Sequence, residues 1–154
     1  MNRVEIRKSK INGKGTYALK DFKKGDVVII WSPKKMVNKE EMSKISRNDQ
    51  NHSTYTGDNK YVIMGSPERF VNHSCDANTF VKNRKDIAKR KIKKGDEITT
   101  DYSLNGIEDW KLACKCGSKK CRKIVYGDFR KLNLKVQKRL TLYLEKWYKR
   151  ETEK

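Results

Sequence analysis

Arg69-Phe70-Val71-Asn72-His73-Ser74-Cys75-Asp76-Ala77-Asn78 is the stretch on which the reading of this chain turns. After the apolar pair Phe70-Val71, every residue but Ala77 carries hydrogen-bonding or metal-binding capacity, more than a plain surface loop needs. It holds one of the two histidines and one of the four cysteines. The other three cysteines lie together in Ala113-Cys114-Lys115-Cys116-Gly117-Ser118-Lys119-Lys120-Cys121, with Gly117 allowing a sharp reversal. Tetrahedral zinc takes four such donors, and adding Cys75 makes an all-thiolate set that leaves no thiol over. His73 and His52 stand as alternative fourth donors. If Cys75 joins the trio, the loop after Val71 is clamped against the segment after Tyr102.

The rest of the chain sets the context for that clamp. At 154 residues it is the size of one domain with room for an appendage. A hydrophobic content of 35% and a charged content of 37% imply a modest core that a metal staple would help. Lys+Arg 38 against Asp+Glu 19 gives a net charge of +19, with the basic residues spread along the chain. That balance suits an acidic partner such as nucleic acid, or else a solvated lysine-rich surface. The opening residues lack the apolar core of a signal peptide, and the longest apolar run, Val27 to Trp31, is far too short to span a membrane. The expectation is a soluble intracellular protein of cytoplasm or nucleus, where cysteines serve metals more often than disulfides.

Short alternating runs predict strands at Val4–Arg7, Thr16–Leu19, Val27–Trp31, Lys60–Met64, Asn78–Lys82, Ile87–Lys91 and Glu97–Tyr102. Lys-Lys-Gly-Asp occurs twice, at 23–26 and 93–96, and is one turn solution used two times. Asn38 followed by Glu40 and Glu41 caps a short helix near 39–47. From Asp128, the residues Phe129, Leu132, Val136, Leu140, Tyr143 and Trp147 recur at helical spacing and predict an amphipathic helix of about five turns. Its stripe packs on the body of the domain or, alternatively, forms a dimer or partner interface. The class is mainly β with short helices (α+β).

Gly13-Lys14-Gly15-Thr16-Tyr17, the 69–78 stretch, Gly95-Asp96-Glu97-Ile98-Thr99-Thr100-Asp101-Tyr102 and the cysteine trio resemble, in that order, the motifs of SET-domain protein lysine methyltransferases with a post-SET zinc segment. The resemblance covers roughly residues 3 to 127. It implies a SET domain over 1–112 whose Asn-His and Asp-Tyr segments cross in a pseudoknot-like way, a post-SET zinc-binding segment over 113–127 and a C-terminal helix over 128–154. It further implies that Lys14, Gly15, Thr16, Tyr17, Arg69, Asn72, His73, Tyr102 and Ile124 contact S-adenosylmethionine. Tyr102 would be the catalytic tyrosine, with Tyr55 matched to a channel tyrosine. Cys75, Cys114, Cys116 and Cys121 would hold structural Zn2+.

The substrate implied is a lysine-bearing protein, histone-like or bound to nucleic acid. A +19 chain repels a free basic tail, so docking on nucleic acid offers a route to a target already bound there. The competing reading is a zinc-stapled basic module without activity that binds nucleic acid or a nucleoprotein. Two departures stand out. Ala77 replaces the family's proline, which loosens the turn before Asn78. Thr100 replaces an aromatic residue at a position that governs how many methyl groups are added, leaving room for a bulkier amine or a water.

Overall fold

The turn chemistry noted in the sequence closes most of the strand connections in the computed structural model, which describes residues 2–153. Strand β1 (Val4–Lys8) turns at Gly13, whose φ of +46° favours glycine, into β2 (Lys14–Ala18). Strands β3 (Val27–Ile30) and β4 (Lys35–Asn38) lead to two short helices, α1 (Lys39–Met42) and α2 (Arg47–Gln50). Asn38 and Glu41 form a reciprocal capping box at the start of α1. Then come β5 (Ser53–Tyr55), β6 (Lys60–Ile63), the two-residue β7 (Asn72–His73), β8 (Thr79–Val81), β9 (Lys85–Ala88) and β10 (Glu97–Thr100). The predicted strand at 87–91 lies earlier, because Asn83 and Arg84 turn the chain with positive φ and let β9 start at Lys85.

Three small sheets result, ordered β1-β2-β10-β7, β3-β9-β8 and β4-β6-β5. The first decides the site. In it β7 lies parallel beside β10, with Asn72 opposite Thr99 and His73 opposite Thr100. The Asn-His and Asp-Tyr segments are therefore neighbours, although 29 positions separate His73 from Tyr102. Asn78 secures the far side of the same strand: its Nδ2 donates to the Glu97 carbonyl and its Oδ1 accepts from the Thr99 N–H. Behind this layer Phe22, Val28, Val62, Ile92 and Ile98 form the main core.

After Tyr102 a hairpin that the sequence pattern did not announce, β11 (Ile107–Ala113) with β12 (Ile124–Asp128), carries the cysteine loop at its tip. The C-terminal helix is present but divided into α3 (Leu134–Leu140) and α4 (Lys146–Thr152). Two devices interrupt the expected five turns. Asn133 caps α3 through Val136 N, so helix begins after Leu132, and Leu144-Glu145 is extended while a Glu145 carboxylate oxygen accepts from Asn83 N. Phe129, Leu132, Leu140, Trp147 and Tyr148 are buried against Leu104, so the stripe packs on the chain's own body. No helix among the described residues is long and apolar enough to cross a membrane.

Candidate active site and thiolate cluster

Four thiols converge where β7 ends. Cys75, Cys114, Cys116 and Cys121 have sulfurs all within 4.8 Å of one another, and Cys75 Sγ lies 3.7 Å from Cys114 Sγ. A tetrahedral zinc with bonds of about 2.3 Å sets its sulfurs about 3.8 Å apart, so the donor set fits. Backbone N–H groups support the sulfurs, Arg122 N donating to Cys75 and Lys123 N to Cys121. Burial opposes ionisation of Cys116, but hydrogen bonds from the Cys75 and Ser118 backbone and the neighbouring thiols outweigh it and bring the thiol down to about 7. Burial pushes Cys75 up. A metal ion would reverse that preference by binding the thiolate. Neither histidine is among the clustered donors: His52 Nδ1 sits on the Asn48 carbonyl, while His73 Nε2 is 3.3 Å from Cys75 Sγ as a neighbour of the set.

The cluster is tied to Tyr102 by a buried ion pair. Arg122, directly after Cys121, meets Asp101 with two guanidinium bonds of 2.7 Å, and Asp101 is fully buried. Asp101 also stands 3.7 Å from His73 Nδ1, and that nitrogen accepts from the Tyr102 backbone N–H at 3.2 Å. The accepting role assigns the neutral imidazole with its proton on Nε2. Burial, against the pull of Asp101, lowers the His73 pKa to about 4 and agrees with that neutral form. The Tyr102 hydroxyl donates to the Val71 carbonyl at 2.8 Å, and its ring lies edge-on to His73 at 5.4 Å. Burial first, then the Asp86 and Glu97 carboxylates, push its pKa up to about 12, so the phenol stays protonated.

Gly15, Thr16 and Tyr17 occupy β2, which pairs with Glu97 and Ile98 of β10 just before the Thr99–Thr100 stretch that pairs with β7. Gly15 runs so close to β10 that a Cβ there would meet Glu97 Oε1 at 2.3 Å. Glu97 is a hub that sequence reading did not single out. Its carboxylate accepts from Asn72 Nδ2 at 2.8 Å, Tyr17 Oη at 2.9 Å and Ser9 Oγ. Asn72 also donates to the Lys14 carbonyl at 3.0 Å, joining the first and second motifs. The Lys14 ammonium and the Arg69 guanidinium both stand over the Phe70 ring, at 5.9 and 5.7 Å. Ile124, next to the thiolate loop on β12, leaves 39% of its surface open to solvent.

Tyr102 lines a cavity of about 490 Å³. Its buried lining comprises Trp31, Thr54, Glu68, Val71, Asp86 and Thr100, and its exposed edge includes Asn51, Lys111 and Leu112 from α2's end and β11. Arg69 also faces it. Tyr55 does not. Its hydroxyl donates to Glu151 Oε2 at 2.8 Å, and its ring packs on Tyr61 and Trp147, so the structure seats it against α4. The turn at Ala77 is also tighter than its missing proline implies. Arg90 donates to the Ala77 and Asp76 carbonyls at 2.9 and 2.8 Å, and Ser74 Oγ accepts from Asp76 N.

A β-rich domain in which a buried ion pair ties a thiolate cluster to a tyrosine-bearing cavity is the class that fold and site define. A SET domain family model matches residues 13–103. Histone-lysine N-methyltransferase trithorax of Drosophila virilis is 36% identical over 135 residues, which is 78% of this chain and 4% of that protein. Histone-lysine N-methyltransferase 2D of Homo sapiens is 37% identical over 141 residues, 79% of this chain and 2% of that protein. A crystal structure described provisionally as a histone methyltransferase of Plasmodium falciparum aligns with a TM-score of 0.52 and 26% identity, covering 65% of this chain and 92% of that one. The chain belongs to the SET-domain family. It spans only a small fraction of the length of the curated relatives it matches.

Proposed function

We propose that the chain is a protein-lysine N-methyltransferase that uses S-adenosylmethionine as methyl donor and acts on a histone-like basic protein. The observation that carries this reading is the juxtaposition of Asn72-His73 with Tyr102, which lines the cavity. The names of the matched relatives point the same way.

S-adenosylmethionine supplies an already activated sulfonium methyl, so the protein has no electrophile to create. What its residues must do is bind, orient and exclude water. The backbone of Lys14–Tyr17, with Arg69, Asn72 and His73, forms the binding side, and Ile124 closes it with an apolar surface next to the thiolate loop. The Tyr102 hydroxyl gives its proton to Val71 O, which leaves its lone pairs to accept an N–H from the incoming amine. That contact turns the amine's own lone pair toward the methyl. The four cysteines would hold Zn2+ as a structural brace for the loop, apart from the bond making.

Thr100, facing the same cavity, leaves room for a methylated amine. Docking on nucleic acid is the complement we assign to the +19 charge, which would otherwise repel a basic substrate. Transfer of labelled methyl to lysines of a basic protein extract, followed by mass spectrometry, tests the function. The expected result is lysine methylation by the wild type and its loss in Tyr102→Phe. Transfer that is equal in both, or absent from both, contradicts the assignment.

A further inference from the structure

Among the described residues of this strongly basic chain four carboxylates are buried, and two of them have cationic partners. Asp101 is clamped by Arg122 and Asp128 by Arg130. Glu68 and Asp86, 2% and 1% exposed, have no cation within ion-pair distance among the described residues, and both line the cavity of Tyr102. Glu68 Oε1 fastens the loop by accepting from Ser32 N and Gly65 N, but its Oε2 has no hydrogen-bond partner. Thr100 Oγ1, on the same lining, is likewise buried and unpartnered. Asp86 holds Trp31 Nε1 at 2.7 Å and so fixes the indole beside it.

A desolvated carboxylate oxygen without a donor costs several kcal/mol unless a proton or a cation arrives. The surroundings decide which cation. A divalent metal needs about six converging oxygen ligands, whereas the two buried acids share their part of the lining with an indole, a phenol, Val71 and Met64. The third acid of the cavity, half-buried Glu108, accepts from Trp110 Nε1. Aromatic walls with nearby negative charge suit a methylated ammonium, which is bulky, weakly hydrated and unable to use more than a donor or two.

We propose that Glu68 and Asp86, walled by Trp31 and Tyr102, form a binding site for a methylated ammonium head at the closed end of this cavity. The proposal rests on the lysine methyltransferase reading and adds specificity to it. Each transfer moves a methyl from the sulfonium sulfur to the neutral amine and leaves an N-methylammonium. The carboxylate floor holds that cation and takes its N–H proton on to the open edge of the cavity, so a partly methylated lysine regains its lone pair and stays for the next round. Thr100 is what keeps the two acids in the open cavity, since a large aromatic side chain there would occupy the space before them.

The test uses tetramethylammonium as the probe, titrated into the purified protein against matched sodium chloride while the melting temperature is followed. A parallel arm reads the methylation states of lysine by mass spectrometry. Glu68→Gln keeps the oxygen that accepts from Ser32 and Gly65 and removes only the charge. Tetramethylammonium is expected to raise the wild-type melting temperature and to bind E68Q at least about tenfold more weakly, as expected for loss of a buried ionic partner. Di- and trimethyl-lysine should give way to monomethyl-lysine in E68Q. An equal response of both proteins to tetramethylammonium, or none in the wild type, overturns the site whatever the transfer arm reads. If the wild type transfers no methyl group at all, the proposed function fails and the tetramethylammonium arm still decides the site. Should E68Q not fold, Asp86→Asn takes its place with the same readouts.

Discussion

Tyr102 and Asp86 face one cavity, and burial pushes both pKa values up. The Tyr102 ring and its backbone N–H are held by His73, so removing only the hydroxyl should leave the fold intact. Tyr102→Phe is expected to lower the rate of methyl transfer by about 10²-fold or more with cofactor binding little changed, as measured by single-turnover transfer and calorimetry. Asp86 governs stability instead. Burial, against hydrogen bonds from Trp31 and Thr79 and with the Glu68 charge adding to it, pushes its carboxyl up to about 6. A carboxyl in the unfolded chain titrates near 3.9. Between those values the folded state holds the proton more tightly, so stability falls as pH rises from about 4 to about 6 and the penalty is complete above that. Asp86→Asn does not titrate, and its stability relative to wild type should therefore grow across that window by up to about 3 kcal/mol. Urea denaturation of both proteins at several pH values measures it; a constant difference would show that Asp86 is not desolvated as described. Neither Asp86 nor Glu68 stood out in the sequence, because a buried acid and a surface acid look the same until the fold places them. That Asn72-His73 lies beside Tyr102 was legible only through the motifs' resemblance to the SET family, since nothing in their spacing sets two segments 29 positions apart side by side.

At the scale of elements, the motif-bearing strands and the capped α1 could be read from alternation and turn residues, whereas the β11–β12 hairpin could not. Its strands are short on apolar alternation, with Glu108, Asp109 and Lys111 interspersed, and a register shift between Ile107 and Lys111 breaks the period. The divided C-terminal helix has the same kind of cause: helical spacing continued across Asn133 and Leu144-Glu145, where capping and a tertiary hydrogen bond interrupt the backbone. Besides the thiolate cluster, the buried Arg122–Asp101 pair joins the hairpin to the rest. Arg122→Met leaves a buried charge uncompensated and is expected to cost about 3–5 kcal/mol, more than most surface arginines in this chain. Chemical denaturation checks it, and a loss below about 1 kcal/mol, the range of an exposed pair, would contradict the bridging role.

The whole molecule carries its positive charge around a modest core, and its C-terminal helices are tied by packing to segments far away in sequence. Trp147 packs against Tyr55 and Tyr148 and meets the close approach of Gly57, so α4 closes over the insert that holds β5 and β6. Trp147→Ala should destabilise the protein by about 3–5 kcal/mol without changing the methyl states that a folded fraction produces. Thermal denaturation and product mass spectrometry read the two parts separately. The net charge of +19 suggests a second outcome at this scale: transfer to a basic protein bound on DNA or RNA should exceed transfer to the free protein and fall with added salt. Rates indifferent to both would leave the charge as a solvated surface.

We propose that one stretch, Asn72 to Cys75, serves the cofactor with its first half and a structural metal with its second. Calorimetric titration of S-adenosylmethionine into zinc-loaded wild type, chelator-treated wild type and Cys75→Ser tests it directly. The expected result is saturable binding by the zinc-loaded protein that weakens at least about tenfold when the metal or Cys75 is lost, since outer-shell bracing of this kind commonly carries that much affinity. Equal affinity with and without zinc, or no binding by the zinc-loaded protein, would contradict it.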